Sequence, residues 1–284
     1  MLELSRHGSV WKLGYGGDTL NTAIHLARAG IETSYFTALG TDTYSQTLKR
    51  QWRAEGLDIS MVLADPERLP GLYAIDTNDQ GERSFTYWRE ASAARAMFSC
   101  AGIDEALTKA AQADLIGFSL ITLAILPAEG RKQLMELCRA VRARGGRVAF
   151  DGNYRPRLWA SREEARQARD LAIGVADIGL PTFEDEASLS RETDAEHVSA
   201  HWARLGCQET LVKLGVEGCL LPDGSLLPPP SVLNPVDTSG AGDAFNGGFL
   251  AARLLGYGIN EAALEGHKVA GWCVMRPGSI PARD

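Results

Sequence analysis

The sequence has no apolar run approaching about 18 residues, so a membrane-spanning helix is not expected. It has no Cys-x-x-Cys pair. Its 5 cysteines, Cys100, Cys138, Cys207, Cys219 and Cys273, are odd in number and widely spaced. A disulfide framework needs an even, patterned set, so these read as reduced core thiols of a cytosolic protein. Positive charge is scarce: 29 Lys and Arg against 36 Asp and Glu leave a formal charge of −7. Nucleic acids and anionic membranes need a basic face, so neither is expected as a partner. An anion bound here must be met by local Arg or Lys. The opening "MLELSRHGSVWKLGYGGD" has no basic segment followed by an apolar one, which reads against a secretory leader. Internal repeats and low-complexity tracts are also missing.

What is present suits one large domain. The chain has 284 residues and is 45% hydrophobic, enough for a sizeable core. Helical patterns over 19–30, 44–56 and 128–146 alternate with short apolar runs at 33–40, 113–120, 147–153, 176–182, 209–215 and 218–224. That alternation implies a largely parallel sheet covered by helices on both faces. Residues 69–94 differ: they read as two alternating strands around an "NDQG" turn. Tyr73, Ile75, Phe85, Tyr87 and Arg89 share one face of that ribbon. An inserted aromatic ribbon suits a lid over a pocket or a dimer contact, with a plain edge hairpin as the alternative. The Pro-rich "LLPPPSVLNP" (226–235) reads as a stiff connector.

It leads into "NPVDTSGAGDAFNGGF" (234–249), where Asp243 is surrounded by the smallest side chains in the chain. Small residues leave backbone N–H groups uncovered. If a helix starts near Gly242, those groups converge at its N-terminus and make an anion nest. A carboxylate beside a bound anion is not there to bind it. It fits an acceptor for the proton of an attacking hydroxyl. On these residues alone, a helix cap with turning glycines fits equally well. No GKS or GKT occurs, so this is not a Walker A loop, and "GYGG" (14–17) fails the G-x-G-x-x-G spacing. The protein-kinase signatures are absent as well.

"DTSGAGDAFNGGF" resembles the signature of the ribokinase-like (PfkB) carbohydrate kinases, and "YGGDTLNTAIHLARAG" is similar to that family's N-terminal Gly-Gly motif. "DGNYRPRLW" (151–159) and "LPGLYAIDTNDQGERSFTYWRE" (69–90) narrow the match to the branch that acts on 2-keto-3-deoxygluconate. The resemblance implies a three-layer α/β/α fold over 1–284 with β-lid segments near 8–17 and 69–92. It also implies ATP-dependent phosphorylation of that sugar acid at its 6-hydroxyl. By motif, Asp243 is the general base, and Gly240, Ala241 and Gly242 supply the anion hole. Gly16, Gly17, Asp18, Asn21, Tyr73 and Tyr87 face the sugar. Arg89 and Arg155 hold the substrate carboxylate. Lys213, Gly215 and Gly218, with Ser239 and the anion-hole glycines, line the nucleotide site. Mg²⁺ is expected with ATP, and some relatives carry a monovalent cation at the position of Asp237.

The residues support an acid substrate in their own right. A carboxylate matches the planar fork of Arg. Arg89 leaves the aromatic face, and Arg155 follows a predicted strand end, where α/β folds place ligands. "PTFEDE" (181–186) departs from the family's Asn-x-x-Glu: Thr182 and Asp185 stand there, as a water-mediated Mg²⁺ site, a capping box, or both. His197 and His201 have zinc-ligand spacing but no third ligand, and read as a surface helix. Trp52, Trp202 and Trp272 read as packing residues. "MLELSRHG" aligns after most of the family's first strand, so that central strand is expected to be missing or short. A form with about ten upstream residues, one strand's worth, is expected to be more soluble and more active; equal melting temperature and activity would refute this. Two alternatives to the sugar-acid kinase are another PfkB sugar or nucleoside kinase and a non-catalytic sugar-acid sensor.

Overall fold

Period-2 and period-3.6 patterns alternate along most of this chain, and the computed structural model turns them into strands and helices in that order. It describes residues 1–7, 10–77 and 83–283. The strands are β1 (Leu2–His7), β2 (Val10–Tyr15), β3 (Thr37–Leu39), β4 (Val62–Ala64), β5 (Leu72–Thr77), β6 (Arg83–Trp88), β7 (Leu115–Ser119), β8 (Arg147–Asp151), β9 (Ile178–Gly179), β10 (Glu209–Thr210), β11 (Val212–Lys213), β12 (Cys219–Leu220) and β13 (Leu226–Leu227). The helices are α1 (Asp18–Arg28), α2 (Thr43–Ala54), α3 (Ile103–Ala110), α4 (Leu120–Ile125), α5 (Ala128–Ala143), α6 (Arg162–Ile173), α7 (Phe183–Ser190), α8 (Ala195–Leu205), α9 (Ala241–Leu254) and α10 (Ile259–Val274). No described helix is long and apolar enough to cross a membrane.

The parallel sheet is in two parts. Strands β7, β8, β9 and β10 pair in parallel, and β3 pairs with β4 apart from them. Among the described residues no strand lies between β3 and β7. A cavity of about 690 Å³ occupies that side, lined by Tyr35 and Phe36, by Leu115 to Gly117, and by Thr22 of α1. Beneath it, Ala38 and Leu63 of the smaller part share one apolar cluster with Phe118 and Phe150 of the larger. Phe150 stacks on Trp202 with ring centroids 5.4 Å apart. Trp52 and Trp202 are fully buried, as expected of packing residues, and Trp272 is partly buried. All five cysteines are buried and free.

The second sheet runs β2-β1-β5-β6. It contains the expected ribbon, with Tyr73 opposite Tyr87 and Ile75 opposite Phe85. The "NDQG" turn lies outside the described residues, as does part of the 8–17 segment. Residues 2–7 join this sheet as β1, parallel to β5. Parity then puts Glu3, Tyr73 and Tyr87 on one face and Leu4, Leu13, Leu72 and Trp88 on the other.

Several expected strands shorten. The 33–40 run is a strand only at 37–39, and 176–182 only at 178–179. The 209–215 run divides at Leu211: Val212 and Lys213 pair with β12, while Lys213 N–H still donates to the Pro181 carbonyl just past β9 at 2.8 Å. The capping box of Thr182 and Asp185 does not form: Thr182 takes the N-cap position with no side-chain cap bond, because Arg155 engages the Asp185 carboxylate instead. His197 and His201 lie on α8; His201 Nε2 meets the Arg169 guanidinium at 3.1 Å, so it is part of an ionic network.

Candidate active site

The site is built where β8 and β11 end and α9 begins. Gly240 takes the N-cap position of α9 with φ +71°, a backbone conformation that L side chains rarely adopt. A Cβ on Gly240 would lie 2.6 Å from Cβ of Ser279, so the residue must be glycine for the C-terminal segment to pass. Asp237 fixes the turn: its carboxylate accepts from the backbone N–H of Ser239 and of Gly278, both at 2.8 Å. Ala241 N–H donates to the Thr238 carbonyl at 3.3 Å, and the N–H groups that open a helix have no partner within it, the arrangement an anion hole needs.

Asp243 sits in that first turn, buried. Its Oδ2 accepts from Asn21 Nδ2 at 2.7 Å, and its carbonyl accepts from the Thr22 hydroxyl at 3.3 Å. Two side chains of α1 thus clamp α9. Burial pushes the Asp243 carboxyl up to about 8, and the charge of Asp18 adds to this; Asn21 and Lys213 pull the other way. A carboxyl poised near neutral pH suits proton transfer. Asp18 is partly buried and likewise pushed up by burial, and it accepts a short hydrogen bond from the Ser119 hydroxyl at the end of β7.

Lys213 turns inward from the end of β11. Its Nζ lies 3.2 Å from Asp151 Oδ1 and 3.0 Å from Asn246 Oδ1, while Asn246 Nδ2 donates to Asp151 Oδ2 at 3.0 Å. Asn246 stands one turn after Asp243 on the same face of α9. The turn that follows Lys213 holds Gly215 (φ +59°) and Gly218 (φ +106°).

Arg155 and Asp185 meet at the other side. Arg155 Nη1 donates to Asp185 Oδ1 at 3.0 Å and Oδ2 at 3.1 Å. Burial raises the Asp185 carboxyl and Arg155 counteracts it, with Asp151 near enough to add to the rise. A single partly buried carboxylate such as Asp185 fits the donor set of Mg²⁺, an ion that keeps most of its waters and takes few protein ligands. No group of three or more His, Cys, Asp or Glu converges among the described residues.

The second sheet supplies the roof. A Cβ on Gly16 would lie 2.4 Å from the Tyr73 hydroxyl, so the Gly-Gly segment runs directly under that ring. Tyr73 donates a short hydrogen bond to Glu3. The Tyr73 and Tyr87 rings are 6.0 Å apart, and Arg89 lies 4.2 Å above the Tyr87 ring. Burial lowers the Arg89 guanidinium, which also feels the charges of Asp18 and Arg155. Asp18, Asn21, Arg89, Arg155, Lys213 and Asp243 therefore share one electrostatic neighbourhood. Sequence reasoning missed Asp151, Asn246, Ser119 and Glu3. The first two were within reach: Asp151 ends a strand, and Asn246 lies at helical spacing from Asp243.

The chain matches the pfkB family of carbohydrate kinases over residues 2–284. It is 40% identical over 294 residues to a 2-dehydro-3-deoxygluconokinase of Escherichia coli (strain K12), covering 100% of this chain and 95% of the relative. It is 40% identical over 290 residues to a 2-dehydro-3-deoxygluconokinase of Dickeya dadantii, covering 99% and 94%. Among solved structures, aminoimidazole riboside kinase from Salmonella enterica, complexed with aminoimidazole riboside and an ATP analog, is similar with a TM-score of 0.83. That match is 25% identical and covers 98% of this chain and 92% of the other.

Proposed function

The chain belongs to the pfkB family of carbohydrate kinases, and on that footing we propose that it transfers the γ-phosphoryl group of ATP to the 6-hydroxyl of 2-keto-3-deoxygluconate (2-dehydro-3-deoxygluconate). The observation that carries this reading is Asp243, buried in the first turn of α9 with Oδ2 held by Asn21. Its Oδ1 is left for the substrate hydroxyl. The hydroxyl gives its proton to Asp243, its oxygen bonds to the γ-phosphorus, and the bond to the β-phosphate oxygen breaks. ADP and 2-keto-3-deoxy-6-phosphogluconate leave. The remaining work is positioning and charge neutralisation.

The anion-hole residues Gly240, Ala241 and Gly242 receive the phosphoryl group. Gly16, Gly17, Asp18, Asn21, Tyr73 and Tyr87 hold the sugar. Arg89 from above and Arg155 from the side take its carboxylate; two cations in one small pocket favour an acid over a neutral sugar or nucleoside. Lys213, Gly215, Gly218 and Ser239 border the triphosphate. Asp185 would hold Mg²⁺ through water, and the ion would neutralise phosphate charge when bound. A monovalent cation beside Asp237 would share a carboxylate that already accepts two backbone N–H groups.

We assign the second sheet the role of a lid that excludes water. Its outer face exposes Trp11, Leu13 and Trp88, which suits a second copy of this chain. Buried free thiols and ATP dependence suit the cytoplasm. ADP release coupled to 2-keto-3-deoxygluconate, ribose, fructose or adenosine tests the substrate reading. Turnover is expected with the keto acid alone. Turnover with a neutral acceptor instead would favour another kinase of the family, and none with any acceptor would favour a binding protein.

A further inference from the structure

Lys213 carries more than a place beside the nucleotide. Its side chain is more than nine-tenths buried, so water does little to solvate the ammonium. Three N–H donors leave that group, and two acceptors are in place, Asp151 and Asn246. The side chain is also close to the anion hole: a Cβ built on Gly242 would lie 3.7 Å from Nζ. Asp243, the residue after Gly242, feels the Lys213 charge. A buried cation with a spare donor thus lies against the N–H groups that would receive the phosphoryl group. A lysine that served only the nucleotide's distal parts has no reason to be folded under this turn.

We propose that Lys213 is a catalytic residue of the transfer itself. Its third N–H donates to an equatorial oxygen of the phosphoryl group in flight, and Asp151 and Asn246 act as positioning residues that aim it. This rests on the kinase reading above. During transfer the P–O bond to ADP breaks, the P–O bond to the acceptor forms, and the acceptor's proton goes to Asp243. Lys213 keeps its three protons throughout and supplies charge fixed in advance in a water-poor setting.

Two measurements test this, one of which needs no turnover. In magnesium buffer, ADP alone and ADP with beryllium fluoride, a phosphoryl mimic, are titrated by calorimetry into wild type, Lys213→Met and Lys213→Arg. Fluoride should tighten ADP in wild type, and Lys213→Met should lose that gain by about 10²-fold, the usual size for one such donor. ADP alone should change less than about threefold, as expected when a residue acts mainly on the transferring group. Lys213→Arg, which keeps the charge, should retain part of the gain and the wild-type melting temperature. An equal gain in Lys213→Met, no gain in wild type, or a loss confined to ADP alone would each overturn the proposal.

In steady state, kcat of Lys213→Met should fall about 10²-fold with KM for ATP little changed. Asn246→Ala should cost less, and should add nothing in the Lys213→Met background, since both losses pass through one ammonium. Additive losses would overturn the positioning role. A wild-type protein that fails to phosphorylate 2-keto-3-deoxygluconate would sink the substrate reading, and the fluoride titration would still judge Lys213.

Discussion

The guanidinium of Arg155 holds the carboxylate of Asp185, with one nitrogen 3.0 and 3.1 Å from the two oxygens. The residue proposed for the substrate's carboxylate is thus paired with the residue proposed for Mg²⁺. Substrate and ion each have to part this pair, so each makes the other's site available.

Asp185→Asn should therefore have opposite effects on two readouts. Without Mg²⁺ the sugar acid should bind about two- to fivefold more tightly, the worth of a half-exposed ion pair removed as competitor. Turnover with Mg²⁺ should fall. Calorimetry with the sugar acid checks the first and coupled ADP release the second; weaker substrate binding in the variant would exclude the competition. Arg155→Ala should chiefly raise KM for the sugar acid, and an unchanged KM would remove Arg155 from the site.

Asp243→Asn should lose at least about 10²-fold in turnover, the usual size of a general-base effect. The same variant should be more heat-stable above neutral pH. The folded carboxyl is pushed up to about 8, above its unfolded value of 3.8, chiefly by burial. Between those values the folded state binds more protons, so the group's contribution to stability declines as pH rises. An amide escapes that cost and can still accept from Asn21. Differential scanning calorimetry at two pH values would show the gap widening toward pH 8; a lower melting temperature for the variant at pH 8 would contradict the burial argument.

The acid limb of kcat/KM should follow the same carboxyl, with activity rising as pH approaches about 8. Asn21 donates to the ionised form and so lowers the Asp243 pKa. Asn21→Ala should move the limb to higher pH. A limb that moves down, or stays while turnover falls, would mean another group is titrating.

Glu186→Gln should unfold the protein far more readily than its position beside the site suggests. Glu186 and Arg169 are each 1% exposed and pair at 2.5 Å. Removing the Glu186 charge leaves the buried guanidinium with Asp170, 2.7 Å away, as its remaining acid, so the cost should be about 3 kcal/mol, the low end for a broken buried pair. Replacing both with apolar residues (Arg169→Met with Glu186→Leu) should restore much of the melting temperature, and a double variant as weak as the single one would assign the loss to packing.

Much of this site was legible because its chemistry is written in local runs. Asp243 among glycines, the Gly-Gly segment under the aromatic ribbon, and an Arg after a strand each carry their meaning within a few residues. What was not legible depends on distant partners. Thr182 and Asp185 spell a capping box, yet Arg155, 30 positions away, takes the carboxylate. Lys213 was placed by motif, but its direction is set by Asp151, 62 positions before it, and Asn246, 33 after it. Strand β1 pairs with β5 across 70 positions, and the alternation of Leu2, Glu3, Leu4 and Ser5 does not say which strand it joins.

The space between β3 and β7 bears on how the molecule comes apart. Asn21 rides on α1, which packs with β3, α2 and β4; Asp243 rides on α9, which packs on β8 and β9. Among the described residues, side chains and not a backbone ladder join these two parts. Amides on the open edge of β7 should exchange with deuterium through local opening rather than whole-chain unfolding. A ligand that bridges Asn21 and Lys213 would rivet the halves together and slow that exchange.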